Sequence, residues 1–342
     1  MRHEWFECWI RDLGSRENIA ILTLWVDGQL MAVAPMQVAR QKIKGLPLKA
    51  FTFLSSTISP RCNFIVHESV DKRRFFEELF RQKGWNLIIT SNMEAAQQIT
   101  KDYIDYLHSC RGGRFQIEPG RQSPYQIISE NWDSYFNGLS KNHRKNLRKA
   151  LKGLDEAASH SFEQYDEFEK LDGIFDEIVA VSGSSWKAEL GSDMSSNSRI
   201  SSFYKNFSRA GSKDGLWQLY TLKIDGKYVA FDYLLKHGKR LTGIRSDYHK
   251  DYRDYMPGHL MKIATIKDLC GRNEGWEYDM GGMAVEYKMR YADQMREHVN
   301  ITAAGPGLYG SLLMFGKSRV LPFLKNIRKE KQPQPESAEA AS

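Results

Sequence analysis

The chain contains two copies of one strand–turn–strand phrase, and a duplication of this kind strongly constrains its fold. The first copy is ILTLWVDGQLMAVAPMQV, and the second is LYTLKIDGKYVAFDYLLK. Asp27-Gly28 corresponds to Asp225-Gly226, an offset of 225 − 27 = 198 residues. An Asp-Gly pair between two apolar runs predicts a β-hairpin with a tight primed turn. Such hairpins are common, but two copies this far apart predict a duplicated domain.

The second half of the chain predicts an α/β unit with a largely antiparallel sheet. Helices are expected over 132–156, 166–183 and 200–211, a short strand over 160–165, and a serine-rich loop over 184–199. Three strands follow, from Leu216, Lys227 and Arg240. A helix then begins at Pro257 and ends at Gly271, and GWEYDMGG predicts a strand that runs into a glycine turn. This order differs from the strict alternation of a Rossmann fold.

The composition fits two folded domains and excludes several classes of protein. The chain has 342 residues, of which 41% are hydrophobic and 12% aromatic, and a formal net charge of +7, which favours anionic partners. The four cysteines are scattered, so neither a disulfide framework nor a zinc ribbon is expected, and a reduced cytoplasm fits best. HExxH, GxSxG, Walker A and GxGxxG are absent and the histidines lie singly, so no metal site is expected.

The two ends of the chain carry no predicted membrane span. The opening MRHEWFECWIRD is charged and aromatic, unlike a signal peptide. Near the other end, GLYGSLLMFGKSRVLPFLKNIRK mixes apolar and basic residues. It predicts either a terminal helix docked on its domain, which we favour, or a segment on a membrane surface. The last residues, EKQPQPESAEAAS, predict a disordered tail.

The predicted helix 132–156 carries a strongly basic face. Its cations recur at spacings of three and four and therefore share one side. They are Lys141, Arg144, Lys145, Arg148, Lys149 and Lys152. This face either binds an anion or is a solvated surface paired with Glu156, Glu163 or Glu167. It lacks the interleaved aromatic residues of a single-strand binding platform, so nucleic-acid binding is not expected as the main function.

Several stretches make the chain resemble the GNAT superfamily of acyltransferases. They are LSKNHRKNLRKALKGL, SSWKAELGS, LYTLKIDGKYVAF, SDYHKDYRDYMPGHLMK and DMGGMAVEYKMRYA, within residues 132–292. The resemblance is to the acetyltransferase branch found beside bacterial cellulose and exopolysaccharide genes, which is related to the Fem peptidyltransferases. It implies an α/β (α+β) fold of tandem GNAT-like domains, with mixed, mostly antiparallel sheets flanked by helices. The expected divisions are a degenerate N-terminal domain over 1–125, with a clipped opening helix, an acyltransferase domain over 126–328 and a disordered tail over 329–342.

The resemblance also implies an activity. It predicts direct acyl transfer from acyl-CoA, expected to be acetyl-CoA, to an amine or hydroxyl of a sugar or cell-envelope precursor, without a metal. The expected location is the bacterial cytoplasm, with a peripheral association with the membrane or with polysaccharide machinery as a further expectation. One alternative is a Fem-like transferase that uses aminoacyl-tRNA, although no long heptad run predicts the Fem coiled coil. Another is a non-catalytic module of a polysaccharide synthase complex.

The resemblance places the donor site where the helix at Pro257 begins. GNAT enzymes present main-chain N–H groups of a splayed strand pair to the acyl carbonyl, and a helix N-terminus to the pyrophosphate. The residues expected to bind the cofactor are Met256, Pro257, Gly258, His259, Arg253 and Lys262. This chain departs from the usual glycine- and arginine-rich phosphate loop, and this departure supports the non-catalytic alternative. The other interpretation of Pro257-Gly258 is an ordinary helix start.

Three residues are candidates for proton transfer. Asp247 precedes the predicted donor loop and would accept the proton of the acceptor amine, directly or through a water. Tyr248 would donate to the leaving thiolate, and Asp232 is a second candidate base. The competing interpretations are a capping aspartate and a packed tyrosine for the first two, and a solvated surface carboxylate for Asp232.

The acceptor is expected to meet a loop, a lysine and the basic helix. Trp186 would stack on a sugar ring, unless it anchors its loop to the core, and Lys187 would bind a phosphate or carboxylate. Lys288, matched to an aromatic-lysine pair of the Fem relatives, would hold an acceptor phosphate or stabilise the oxyanion, unless it is a surface lysine on a strand. Arg144 and Arg148 would steer the anionic acceptor towards the cleft.

Overall fold

The structure is a computed structural model, and it describes residues 2–43, 46–56, 58–111, 114–157, 159–272 and 274–315. The helices are α1 (His3–Asp12), α2 (Lys72–Arg81), α3 (Gln98–Cys110), α4 (Trp132–Gly138), α5 (Lys141–Ala157), α6 (Phe168–Asp172), α7 (Phe175–Gly183), α8 (Ser198–Gly211), α9 (Pro257–Gly271), α10 (Glu286–Met289) and α11 (Leu308–Phe315). The strands are β1 (Ile19–Val26), β2 (Gln29–Ile43), β3 (Leu46–Phe53), β4 (Ile65–Val66), β5 (Leu87–Glu94), β6 (Phe115–Pro119), β7 (Ser123–Ile128), β8 (His160–Tyr165), β9 (Trp217–Ile224), β10 (Lys227–His237), β11 (Arg240–Tyr248), β12 (Trp276–Asp279), β13 (Gln294–Arg296) and β14 (His298–Ala304).

The chain forms two compact units, and in the described residues each is built around one seven-stranded sheet. Unit 1 comprises residues 1–19, 54–62 and 120–298, and unit 2 comprises residues 20–53, 63–119 and 299–342. Both sheets are mixed and mostly antiparallel and are flanked by helices, which confirms the predicted fold class. The domain limits drawn from the sequence stay predictions.

The two Asp-Gly hairpins have the same backbone geometry. Asp27 and Asp225 both have φ 49°, and Gly28 and Gly226 both have φ 77°. Positive φ at both central positions is the requirement of a type I′ turn, which glycine meets without strain and aspartate tolerates. The turns therefore form as the Asp-Gly pairs predict.

The sheets of the two units repeat one strand order. Unit 2 has the order β1-β2-β3-β5-β14-β6, and unit 1 contains the order β9-β10-β11-β12-β7-β13. In each unit the third and fourth of these strands are parallel, with α2 or α9 between them in the chain. The fifth and sixth strands are antiparallel. This correspondence supports a duplicated domain.

Two helices predicted as continuous are each broken in two. The segment 132–156 forms α4 and α5, because Leu139 is extended (φ −65°, ψ 154°) and the Ser140 hydroxyl accepts from the N–H of His143. The segment 166–183 forms α6 and α7 around Gly173 and Ile174. In both places the helical spacing of apolar residues continues across the break, so hydrophobic periodicity alone does not predict where the helix is interrupted.

The sheet of unit 1 is covered by helices on both faces. On one face α1 and α8 contribute Trp5, Phe203 and Phe207 to a cluster with alternate residues of β9, such as Trp217 and Leu219. On the other face α5 and α9 contribute Leu147, Leu154, Leu260 and Leu269, which pack against Leu222 and Ile224. Strand residues alternate between the two faces, as the two-residue period requires. This packing fixes α9 against the sheet and so positions its N-terminus.

Candidate active site

β11 and β12 run side by side at their starts and then diverge. Their parallel pairing covers Arg240 to Thr242 on β11 and ends at Asp279 on β12. Just beyond this point the register between β10 and β11 skips Ile244, which is a β-bulge. Bulges bend a strand and commonly lie next to active sites. The edge of β11 after Thr242 therefore faces an opening in place of a neighbouring strand, as expected for a splayed strand pair.

A cavity of about 610 Å³ occupies this opening in unit 1. Its walls come from β11, the start of α9, the glycine turn after β12, α10 and the 3-10 helix Trp186–Leu190. The charged side chains that line it are Lys187, Asp232, Arg245, Asp247, Arg253, Lys262 and Lys288. Among these described lining residues, five are cationic and two are carboxylates, so the cavity suits a ligand that carries negative charge. Its size is in the usual range of about 300–1,000 Å³ for small-molecule sites.

Two glycines shape the point where the strands part. Gly281 has φ +59°, and a Cβ there would lie 1.8 Å from the carbonyl oxygen of Gly243. A Cβ on Gly243 would lie 3.1 Å from the carbonyl oxygen of Met280. The close backbone approach and the positive φ together require glycine at position 281.

Asp247 is the centre of a buried network at one wall of the cavity. Its side chain has no exposed surface, and it accepts from Lys187 Nζ at 2.5 Å, Arg245 Nε at 2.7 Å and Ser182 Oγ at 2.6 Å. Lys187 also donates to the Ser246 carbonyl at 2.7 Å. The predicted base and the predicted acceptor-binding lysine are thus brought into direct contact.

Asp232 and Lys262 form a second buried pair. Their side chains are each 2% exposed, and Nζ lies 2.6 Å from Oδ2. Tyr278 donates to the same carboxylate oxygen at 3.4 Å. Burial alone would lower the pKa of Lys262, but the neighbouring carboxylate raises it well above its ordinary value. The interpretation of Asp232 as a solvated surface group is wrong, because the strand β10 is buried on both faces.

Lys288 reaches into the cavity from the short helix α10. Its ammonium donates to the carbonyl oxygens of Met280 at 3.0 Å and Gly281 at 2.6 Å. Burial and the nearby Lys262 lower the pKa of Lys288 to about 8. The alternative of a surface lysine on a strand is wrong, since the residue is helical and largely enclosed. Lys288 is therefore a cation held at the mouth of the strand opening and partly deprotonated in mild alkali.

The start of α9 offers little main-chain hydrogen bonding. Met256 is in the left-handed region (φ 56°), and its carbonyl accepts from the N–H groups of His259 at 2.9 Å and Leu260 at 3.2 Å. Pro257 has no N–H, so Gly258 supplies the one N–H that remains among the first four helical residues. The departure from the usual phosphate loop thus has a structural counterpart: a helix dipole with one main-chain donor.

The remaining predicted residues are divided between the cavity and the surface. Tyr248, Arg253 and His259 line the cavity. Trp186 also lines it and is 54% exposed, so the alternative of a core anchor is wrong.

The structure places the arginines of α5 away from the cavity lining. Arg144 donates to the carbonyls of Asn137 and Leu139, and Arg148 lies 5.1 Å from the Phe136 ring. Their role in steering an anion stays a prediction. Lys152 pairs with Glu156 at 3.4 Å, whereas the other two expected acids pair elsewhere, with Lys223 and Lys170.

Sequence reasoning missed several residues that build this site. Arg245 and Ser182 complete the Asp247 network, and Tyr287 lines the cavity beside Lys288. Arg245 lies two residues before Asp247 on β11, which is a usable signal, but Ser182 lies on a separate helix. The paired glycines of DMGG predict a turn, and their position after a strand also signals a close backbone approach.

The described residues contain neither a cluster of metal-ligating side chains nor a helix able to span a membrane. In that part of the chain no three His, Cys, Asp or Glu side chains group closely enough to hold a metal ion. No described helix has the length and apolar character needed to cross a bilayer. The predicted tail over 329–342, and most of the apolar and basic segment before it, lie outside the described residues.

Residues 141–289 match the sequence model of the acetyltransferase (GNAT) domain family. This region contains the splayed strands β11 and β12, α9 and the whole cavity lining. This part of the chain is therefore similar to a GNAT-type acetyltransferase domain. No curated protein sequence matches the chain significantly.

Solved structures resemble the chain over nearly its whole length. FemX has a TM-score of 0.56 at 14% identity, covering 92% of this chain and 93% of its own. The C-terminal domain of a putative lysylphosphatidylglycerol synthetase from Agrobacterium fabrum has a TM-score of 0.54 at 12% identity, covering 92% and 91%. L-PGS from Bacillus licheniformis has a TM-score of 0.51 at 12% identity, covering 94% and 97%. At these identities the likeness concerns the fold.

Proposed function

We propose that the protein is an acyltransferase that moves an acyl group from acyl-CoA to an amine or hydroxyl of a sugar or cell-envelope precursor. The observation that carries the proposal is the parting of β11 and β12 around a cavity that meets the start of α9. A direct transfer requires the carbonyl to be polarised and the acceptor to be held close to it. Main-chain groups of β11 would meet the carbonyl, and the cationic lining would hold the anionic parts of donor and acceptor.

Lys288 is proposed to stabilise the oxyanion that forms during transfer. Its ammonium is already fixed by two carbonyl oxygens at the opening, so little reorganisation is needed when charge develops. The role requires the protonated form, and the pKa of Lys288 is lowered to about 8.

The pH profile tests this role of Lys288. Turnover by the wild type should fall as the pH rises through about 8, because the ammonium is lost there. Lys288→Arg should keep measurable activity and shift this alkaline decline upward, since a guanidinium stays charged. Lys288→Met should be weakly active at every pH. An unchanged alkaline limb in the arginine variant would contradict the assignment.

Asp247 and Asp232 stay candidate bases in this proposal. Their ion pairs favour a second role, in which Asp247 holds Lys187 and Asp232 holds Lys262 at the cavity wall. A chain of waters can then remove the acceptor proton. Trp186, exposed at the cavity mouth, is proposed to contact the acceptor sugar.

Acetyl-CoA binding measured by calorimetry is the direct test of the donor. The expected result is saturable binding at one site, together with thiol release when amino sugars or nucleotide amino sugars are supplied. Gly281→Ala should abolish binding, because its Cβ would collide with the Gly243 carbonyl and disturb the opening.

Gly238→Ala is the matched control for this variant. Gly238 also has positive φ (+55°), but nothing lies within 4 Å of a Cβ there. Gly238→Ala should therefore lower the free energy of unfolding by about 1–2 kcal/mol, the cost of the left-handed backbone conformation, and should bind acetyl-CoA like the wild type. Equal loss of acetyl-CoA binding in both variants would contradict the role of the strand opening in binding.

An aminoacyl-tRNA donor is the second candidate. The single main-chain N–H at the start of α9 favours it, because a pyrophosphate would find few donors there. The similarity to FemX and to the lysylphosphatidylglycerol synthetase supports the same alternative. Tight binding of charged tRNA without acetyl-CoA binding would select this donor, and failure of both would favour a non-catalytic module.

A further inference from the structure

The side chains of His259 and Tyr291 form a unit beside the cavity whose hydrogen bonding fixes the state of the histidine. His259 lies at the start of α9 and lines the cavity. Its Nδ1 lies 2.7 Å from the hydroxyl oxygen of Tyr291. Tyr291 is only 2% exposed, so its hydroxyl is enclosed by protein.

Tyr291 is held firmly in this position. Tyr135 donates to its main-chain carbonyl at 2.9 Å, and the ring of His143 packs edge-to-face on it with centroids 4.7 Å apart. Burial raises the pKa of Tyr291, so the phenol keeps its proton. A buried hydroxyl needs an acceptor, and Nδ1 of His259 lies within hydrogen-bond distance of it.

The direction of this bond decides the tautomer of His259. If the tyrosine donates to Nδ1, that nitrogen carries a lone pair, and a neutral imidazole must then carry its proton on Nε2. The surroundings favour the neutral ring, because burial and the charge of Arg290 lower the pKa of His259. Two further titratable groups lie close to the ring: His143, at a centroid distance of 5.9 Å, and Tyr287, at 5.8 Å. Both of these are uncharged at neutral pH, since burial also lowers the pKa of His143 and raises that of Tyr287.

We infer that Tyr291 locks His259 as the Nε2–H tautomer, so that His259 presents a hydrogen-bond donor, not a base, to an oxygen of the bound substrate that carries or develops negative charge. This inference rests on the proposed acyl transfer for its substrate. His259 then acts with Lys288 on the same anionic centre or on a neighbouring phosphate, and no proton leaves the imidazole. Tyr291 is a positioning residue, because it acts through His259.

Substitutions at position 259 distinguish a donor from a base. Gln carries an amide N–H near the place of Nε2–H but cannot act as a base at neutral pH. His259→Gln should therefore keep kcat/KM within about tenfold, whereas His259→Leu should lose about 100-fold, the usual cost of one lost oxyanion donor. If His259 were a base, both variants would be equally inactive. The pH profile of wild-type kcat/KM would then also decline at acid pH, and neither variant would show this decline.

Nitrogen NMR of histidine-labelled protein tests the tautomer without any turnover. At pH 7 the His259 signals, assigned by their loss in His259→Gln, should show a protonated Nε2 and an unprotonated Nδ1. Tyr291→Phe should convert this pattern to a mixture of tautomers and reduce kcat more than KM. A protonated Nδ1 or an imidazolium in the wild type would overturn the inference. If acetyl-CoA fails to bind while the Nε2–H pattern is seen, the proposed donor fails and the tautomer assignment stands.

Discussion

Asp232 and Lys262 lie almost wholly out of solvent, and each needs the other. Their side chains are each 2% exposed, and the ammonium lies 2.6 Å from the carboxylate. Removing two charges from water is costly, and their attraction offsets this cost only while both are present. A buried pair of this kind therefore stabilises weakly as a whole but makes the loss of one partner expensive.

Lys262→Met should lower the free energy of unfolding by about 3–5 kcal/mol, because it leaves Asp232 buried without its cation. The double variant Asp232→Leu with Lys262→Met should recover most of this loss. Urea denaturation measures both. Lys170→Met is the control, since Lys170 and Glu167 are 61% and 58% exposed, so water screens their ion pair and its loss should leave the free energy of unfolding almost unchanged. A single variant as stable as the wild type would show that the pair is hydrated.

His143 makes a separate prediction about acid stability. Burial and the nearby His259 lower the pKa of His143 from 6.5 to about 4. Between these two pH values the unfolded chain binds a proton at His143 that the folded chain does not. The contribution of His143 to the free energy of unfolding is therefore complete above pH 6.5 and is lost as the pH falls from 6.5 to about 4. The slope for one such group is about 1.4 kcal/mol per pH unit.

His143→Phe should therefore flatten the decline of unfolding free energy between pH 6.5 and 4, because phenylalanine binds no proton. Its ring should keep the edge-to-face contact with Tyr291. His237→Phe, at an exposed position, should keep the wild-type slope. Urea titrations at several pH values measure the slopes. Parallel slopes in all three proteins would show that His143 is hydrated in the folded state.

Among the elements, the junction of α4 and α5 shows how a side chain of one helix can cap the C-terminal carbonyls of the helix before it. α4 stops at Gly138, and its last carbonyls would point into a turn without intrahelical partners. Arg144, in the first turns of α5, donates to the carbonyls of Asn137 and Leu139. A residue predicted to steer anions thus also closes a helix end, where a cation is favoured by the dipole.

Arg144→Ala should lower the free energy of unfolding by about 1–2 kcal/mol, since bonds from a charged donor to two carbonyls are lost. Lys145→Ala, on the same exposed face, should change it by less than about 0.5 kcal/mol. Thermal or urea unfolding makes the comparison. Similar effects in both variants would mean that the α4 end is solvated and the arginine bonds are dispensable.

Across the whole molecule, each sheet is completed by a strand from a distant part of the chain. β14, from the last described part of the sequence, lies between β5 and β6 in unit 2, while β7 takes the corresponding place in unit 1. The sheet of unit 2 therefore depends on residues that are far from its other strands in sequence. The hairpin repeat predicts the duplication but not the positions of β14 and β7 in the two sheets. The sequence of one strand does not specify which strand it pairs with.

Truncation after Glu297 should unfold unit 2, because it removes β14 from between β5 and β6. Limited proteolysis with mass spectrometry should then show cleavage within 20–53 and 63–119, while 120–297 stays resistant. Truncation after Phe315, which keeps all the described helices and strands, is the control and should leave the pattern unchanged. A resistant unit 2 in the shorter protein would show that β14 is not needed for its sheet.

Sequence alone determined the local features of this protein. The two Asp-Gly turns, the strand starts at Lys227 and Arg240, and the helix from Pro257 to Gly271 follow from turn chemistry, alternation and capping, which act over a few residues. Tertiary structure decided the cavity, the Asp247 network, the burial of Lys262 and the contact of His259 with Tyr291. These depend on which faces of distant elements meet, and on water being excluded where they do, and neither is encoded in the spacing of residues along one segment.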